Sequence, residues 1–144
     1  MTSATRTLRI GEIAERTGVT ARTIRYYEEL GLLPAAAREH GKHRLYDETD
    51  VERLRELKRL RDLLGLSLDE LKAVIEYEDA RPRLRERFHA SDSSGERRQI
   101  VETALGAVEQ QLPLVRRRLA ELEQLEAELV DRRRRLRRRR RELT

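Results

Sequence analysis

From residue 20 the chain reads Thr-Ala-Arg-Thr-Ile-Arg-Tyr-Tyr-Glu-Glu-Leu-Gly-Leu-Leu-Pro, followed by a small and polar run that ends His-Arg-Leu-Tyr at residue 46. Set on a helix, Arg22, Arg25, Tyr26 and Glu29 fall at i, i+3, i+4 and i+7 and share one face, whereas Ile24 and Tyr27 point the other way. Thr20 carries the hydroxyl that caps such a helix. Guanidinium groups fork onto guanine or phosphate, and a phenol hydroxyl donates to a phosphate oxygen. The chemistry on offer is recognition of a polyanion whose groove admits a helix. Thr20, Arg22, Thr23, Arg25 and Tyr26 are the candidate contacts.

The flanking elements must hold that face rigid. Ile10, Ile13, Ala14 and Thr17 repeat at helical spacing, and Gly18 ends the pattern three residues before the next helix begins. A short helix, a glycine turn and a second helix with a basic face is the helix-turn-helix arrangement. A helical hairpin with a solvated face shares this pattern; the Arg-Tyr-Tyr run and the residues after it separate the two. Pro34 stops the second helix behind an apolar plug of Leu30, Leu32 and Leu33, and Gly41 is the turn residue of the polar stretch that comes next. Asp47 is placed to cap a third helix with Val51, Leu54, Leu57, Leu60 and Leu64 inward. Ser67 with Glu70 forms a capping box for a fourth, with Leu68, Leu71, Val74 and Ile75 inward.

Beyond residue 78 the pattern weakens. Pro82 interrupts it, Leu84 and Phe88 make one short apolar turn, and residues 91–95 read as a loop. Phe88 is expected to dock against the head or against a partner's long helix and not to touch an effector. From Glu96 onward Val101, Val108, Val115, Leu122, Leu129 and Leu136 recur every seven residues, with Leu105, Leu112 and Leu119 as a second row. A two-sided seam therefore runs from 101 to 122, and Val101, Leu105, Val108, Leu112, Val115, Leu119 and Leu122 are the expected dimer interface. Pro113 lies inside the seam and predicts a kink.

Charge is unevenly spread. Charged residues make up 41% of the chain and aromatics 3%, far from the roughly one quarter charged of an ordinary globule. The net +5 hides three regimes: residues 1–46 hold eight Lys or Arg against five Glu, residues 47–131 hold fifteen against twenty-one acids, and residues 132–141 hold nine arginines. The basic pI belongs largely to that last run, so it argues little about the head. The run itself reads either as a second contact with an anionic partner or as a solvated helix end that complements the helix dipole.

No cysteine is present, so disulfides and thiolate metal sites are excluded. The histidines at 40, 43 and 89 have no metal-ligand spacing, and no phosphate-cradling glycine loop or nucleophile triad can be assembled. Neither cofactor, metal nor catalysis is expected. No apolar run approaches a membrane span and no leader pattern opens the chain, so no membrane partner is expected and the protein is placed in the cytoplasm.

The fragments Ile-Gly-Glu-Ile-Ala at 10–14, Gly18-Val19-Thr20, Arg22-Thr23-Ile24-Arg25-Tyr26-Tyr27, Gly31-Leu32-Leu33, Arg44 with Tyr46, and Gly65-Leu66-Ser67-Leu68-Asp69-Glu70 together resemble the MerR family of transcription regulators, in that family's order and spacing. The resemblance runs from about Leu8 to Tyr77. It implies a mainly α fold, with a winged helix-turn-helix head of four helices and a small two-stranded wing, then a long coiled-coil helix. The expected division is a DNA-binding head at 1–78, a linker with a short helical turn at 79–95, and a dimerisation helix at 96–144. On this resemblance Arg38 and Arg44 of the wing become phosphate or minor-groove contacts, Lys42 is a further DNA contact, His43 either touches phosphate or packs, and Tyr46 either touches the backbone or packs. The order Gly41-Lys42-His43-Arg44 departs from the Gly-Tyr-Arg usual in relatives, with His43 in place of an aromatic.

The resemblance also implies a homodimer, its helices antiparallel, on a pseudo-palindromic promoter site, distorting the DNA between promoter elements so that RNA polymerase engages both. The periodicity by itself fits a parallel pair equally well. Cysteine-based metal and redox sensing are absent, the residues after 78 leave too little for a separate drug-binding domain, and no effector is assigned. The alternative is an adaptor protein that acts through its long helix and arginine-rich end.

Overall fold

The computed structural model describes residues 7–34, 37–39 and 43–144, with the backbone alone described at 37–39, 43 and 44. The elements run β1 (Leu8–Arg9), α1 (Ile10–Thr17), α2 (Ala21–Glu29), β2 (Ala37–Glu39), β3 (His43–Tyr46), α3 (Glu48–Leu64), α4 (Leu68–Ala90) and α5 (Ser94–Glu142). Two compact units result, Met1–Ala80 and Arg81–Thr144. The mainly α architecture with a small sheet and a long last helix is the expected one.

In the first unit the helix boundaries follow the side chains that satisfy their ends. Gly18 closes α1 at φ 73°, and its amide donates to the Ala14 carbonyl at 2.9 Å. That left-handed backbone is strained for any residue with a Cβ, so the turn into α2 depends on glycine. Asp47 and Asp50 exchange backbone-to-carboxylate bonds of 3.0 Å each way at the start of α3. Ser67 and Glu70 do the same for α4 at 2.9 and 3.2 Å, the reciprocal pair their spacing predicts.

Helix α1 is the hub, packing against α2, α3, β1 and β3. The buried side chains Ile13, Ile24, Tyr27, Leu32, Leu33, Val51, Leu54, Leu57, Leu71, Val74 and Ile75 make the core of the unit. These lie at positions that the periodicity turns inward or, for the two leucines before Pro34, assigns to the plug; Val19, Tyr46 and Leu66 are buried as well without such a signal, and Leu60, Leu64 and Leu68, expected inward, are only half-buried.

Three findings depart from expectation. The two-stranded wing β2–β3 is present, but a further strand joins it: β3 lies between β2 and β1, with Leu8 opposite Tyr46 and Arg9 opposite Leu45. Two residues are too few to show an alternating pattern, which is why this strand is invisible in the sequence. Next, Pro82 does not end α4, which continues to Ala90. Proline removes only one amide donor, here the one for the Glu78 carbonyl, and strong helix formers on both sides carry the backbone past it. The segment expected to link head and helix is thus largely helical, with only residues 91–93 between α4 and α5. Finally, α5 starts at Ser94, two residues before the expected Glu96, capped by Ser93, whose hydroxyl accepts from the Glu96 amide at 3.3 Å; as expected, it is one helix and not two across Pro113.

Candidate nucleic-acid interface

Helix α2 begins at Thr20, whose hydroxyl oxygen accepts from the Thr23 amide at 3.2 Å. The two threonine hydroxyls are also joined at 2.9 Å. Two of the sequence candidates are therefore engaged in forming the start of the helix, Thr20 exposed and Thr23 half-buried. Ile24 and Tyr27 are buried on the inner side, and the Tyr27 hydroxyl accepts from an Arg61 guanidinium nitrogen at 3.3 Å.

The outer side brings Arg22, Thr23, Arg25, Tyr26 and Glu29 together around one shallow surface depression. Tyr26 is 44% exposed, a large aromatic left in water. Among the described residues neither Arg22 nor Arg25 has an acidic partner, so both guanidinium groups are free to bind. Glu29 sits at the far end of the face as its only acid.

The structure treats the wing candidates differently. Arg38 and Arg44 are Cα partners across the β2–β3 ladder, and Glu39 pairs with His43. Lys42 lies outside the described residues. Tyr46 is a correction: it is fully buried, and its hydroxyl donates to a carboxylate oxygen of Glu28 on α2. A side chain sealed in this way reaches no external ligand, so of its two expected roles the packing one applies. Through it the last wing strand is fastened to the helix that carries Arg22 and Arg25.

Two further positioning residues have no signal in the sequence. Arg53 on α3 donates through Nε to the Leu32 carbonyl at 2.9 Å and through both terminal nitrogens to the Asp79 carboxylate at 2.7 Å, clamping the loop after α2 between α3 and α4. Arg16, at the end of α1, makes a two-pronged bond to Glu48 at 2.6 and 2.8 Å. The partners are more than twenty residues apart in both pairs, too far for any local pattern. The Arg16 guanidinium holds the Glu48 carboxyl below its ordinary range, and the carboxylate in turn raises Arg16.

In the second unit, the seven seam residues between Val101 and Leu122 are all exposed by 39–51%. Leu125, Leu129 and Leu136 extend the exposed row. The isolated chain leaves this stripe in water. Among the described residues no helix is long and apolar enough to cross a membrane.

Residues 8–78 match the family model described as MerR HTH family regulatory protein. The HTH-type transcriptional regulator YfmP of Bacillus subtilis is 37% identical over 108 residues, which cover 75% of this chain and 77% of that protein. The nodulation protein NolA of Bradyrhizobium elkanii is 50% identical over 68 residues, covering 47% of this chain but only 31% of NolA. Among solved structures, a MerR family transcriptional regulator from Listeria monocytogenes superposes with a TM-score of 0.52 at 25% identity, covering 87% of this chain and 81% of that one. With the helix-turn-helix geometry, the capped reading helix and the long exposed seam, these likenesses establish that the chain belongs to the MerR family of helix-turn-helix transcription regulators.

Proposed function

We propose that two copies of this chain pair through residues 101–122 of α5 and together grip one promoter duplex, α2 of each entering a major groove with Arg22, Arg25 and Tyr26 foremost. Arg38, Lys42, His43 and Arg44 of the wing hold the flanking backbone. The observation that carries this reading is the outer face of α2: two unpaired guanidinium groups and an exposed phenol on a helix anchored from within by Ile24 and Tyr27. An antiparallel pair suits the charge. Parallel helices would lay two runs of nine arginines side by side, whereas antiparallel ones separate them by most of the helix length.

Bending and untwisting a promoter costs on the order of 1 to 6 kcal/mol, which contacts from both subunits offset. The distortion would let RNA polymerase reach both promoter elements. Substituting Arg22→Ala tests the reading. Binding to the chain's own operator should weaken by about 1 to 3 kcal/mol more than binding to random duplex, as for a bidentate contact to a base. Equal loss on both duplexes, measured by fluorescence anisotropy at one salt concentration, would reduce Arg22 to a phosphate contact.

A further inference from the structure

The arginine run at 132–141 plays no part in the grip on the promoter proposed for α2 and the wing. It is wholly helical and exposed, as the last three turns of α5. Among the described residues its one ion pair is Arg135 with Asp131 at 3.1 Å, so eight of the nine guanidinium groups have no carboxylate partner. The spacing is specific: Arg134, Arg137, Arg138 and Arg141 stand at i, i+3, i+4 and i+7 and form one face, turned away from the apolar row of Leu129 and Leu136. Pairing through the apolar row would leave this face uncovered.

Such an arrangement is costly for a helix. Like charges three and four residues apart repel, and a helix end needs only one or two cations to complement its dipole. Solubility is no explanation either, because the preceding residues of α5 are already rich in both signs of charge. What relieves the repulsion is a dense polyanion. All nine cations are arginine and none is lysine, and arginine offers the planar fork that fits phosphate oxygens. Leu136 is the single apolar residue in the run, so there is no apolar face to enter a lipid surface and no cluster of anchors for a protein partner.

We infer that the face made by Arg134, Arg137, Arg138 and Arg141 binds the phosphate backbone of duplex DNA irrespective of sequence, adding a second electrostatic contact to the sequence-reading one. The inference rests on the reading of the chain as a duplex-binding regulator, since a chain already held on a duplex presents its remaining cations to phosphate at high local concentration. Four arginines releasing four counterions steepen the salt dependence by about 3 to 4 in log–log slope per chain.

The test uses the full-length chain and a 40-base-pair duplex of random sequence, titrated by anisotropy between 50 and 200 mM salt. With all four residues changed to Gln, the slope should fall by about 3 to 4 per chain, so that the intact protein loses about a hundredfold more affinity across that range than the variant. Changing the same four to Lys should restore the slope, which a folding defect would not do. An unchanged slope in the Gln variant overturns the inference while leaving the role of α2 intact. So does a variant whose loss appears only on single-stranded RNA of equal length or on vesicles containing anionic lipid. Absence of binding to any duplex by the intact chain overturns both readings.

Discussion

Tyr46 shows how a single hydroxyl can couple the two parts of a reading head. Its ring is buried beside β1 and its hydroxyl meets Glu28 on α2, so the wing strand and the reading helix cannot shift independently. Replacing it by Phe keeps the packing and removes the bond. We expect Tyr46→Phe to lower the stability of the head by about 1.5 to 3 kcal/mol, the range for a hydrogen bond to a charged group, read from chemical denaturation. Arg16 and Glu48 make a different prediction. Glu48 titrates below its ordinary range because of Arg16, so the folded state binds its proton less readily than the unfolded state. The pair's contribution is present above the ordinary carboxylate pKa of about 4.3 and is lost as pH falls through the depressed value. In a series of melting curves, Glu48→Gln should remove that part of the acid dependence, with the gap from the unaltered protein closing at low pH. Both residues show the limit of sequence reading. Arg22, Arg25 and Tyr26 are legible because exposure follows the 3.6-residue period, whereas the roles of Tyr46 and Arg16 depend on partners brought in by the fold.

At the level of elements, what can be read is whatever has a local cause. Helices α1, α2 and α3 begin and end within a residue or two of their predicted caps, because Thr20, Asp47, Gly18 and Gly65 act on their own neighbours. Strand β1 exists only because β3 is there to pair with it, and the passage of α4 through Pro82 reflects the helix formers on each side more than the proline itself. Pro113 poses the same problem within the seam of α5. Its ring leaves the Glu109 carbonyl without the usual donor, and an interior proline costs roughly 3 kcal/mol relative to alanine. Pro113→Ala should therefore raise the thermal midpoint of the paired helices, with a gain of up to about 3 kcal/mol per chain. A midpoint that fell would show that the backbone at Pro113 is shaped to suit its partner.

On the scale of the whole molecule, the compact head and the long helix divide the work. The head has a closed core and polar surroundings, while α5 keeps an apolar row in water along a helix of about 74 Å. Introducing charge into that row by Leu112→Asp together with Leu119→Asp should yield a monomer by light scattering. The fold of the head should survive, because neither side chain contributes to its core. Binding to a two-fold operator should then collapse to the weak affinity of one reading helix. A double variant that remained dimeric would move the seam elsewhere on the chain.

The row of side chains along α5 that no single chain can cover also ties regulation to gene dosage. Concealing it takes an encounter of two molecules, so below the dissociation constant of the pair the active form grows with the square of the number of copies. Halving synthesis then quarters the regulator available to the promoter, a steep response that requires no small-molecule signal.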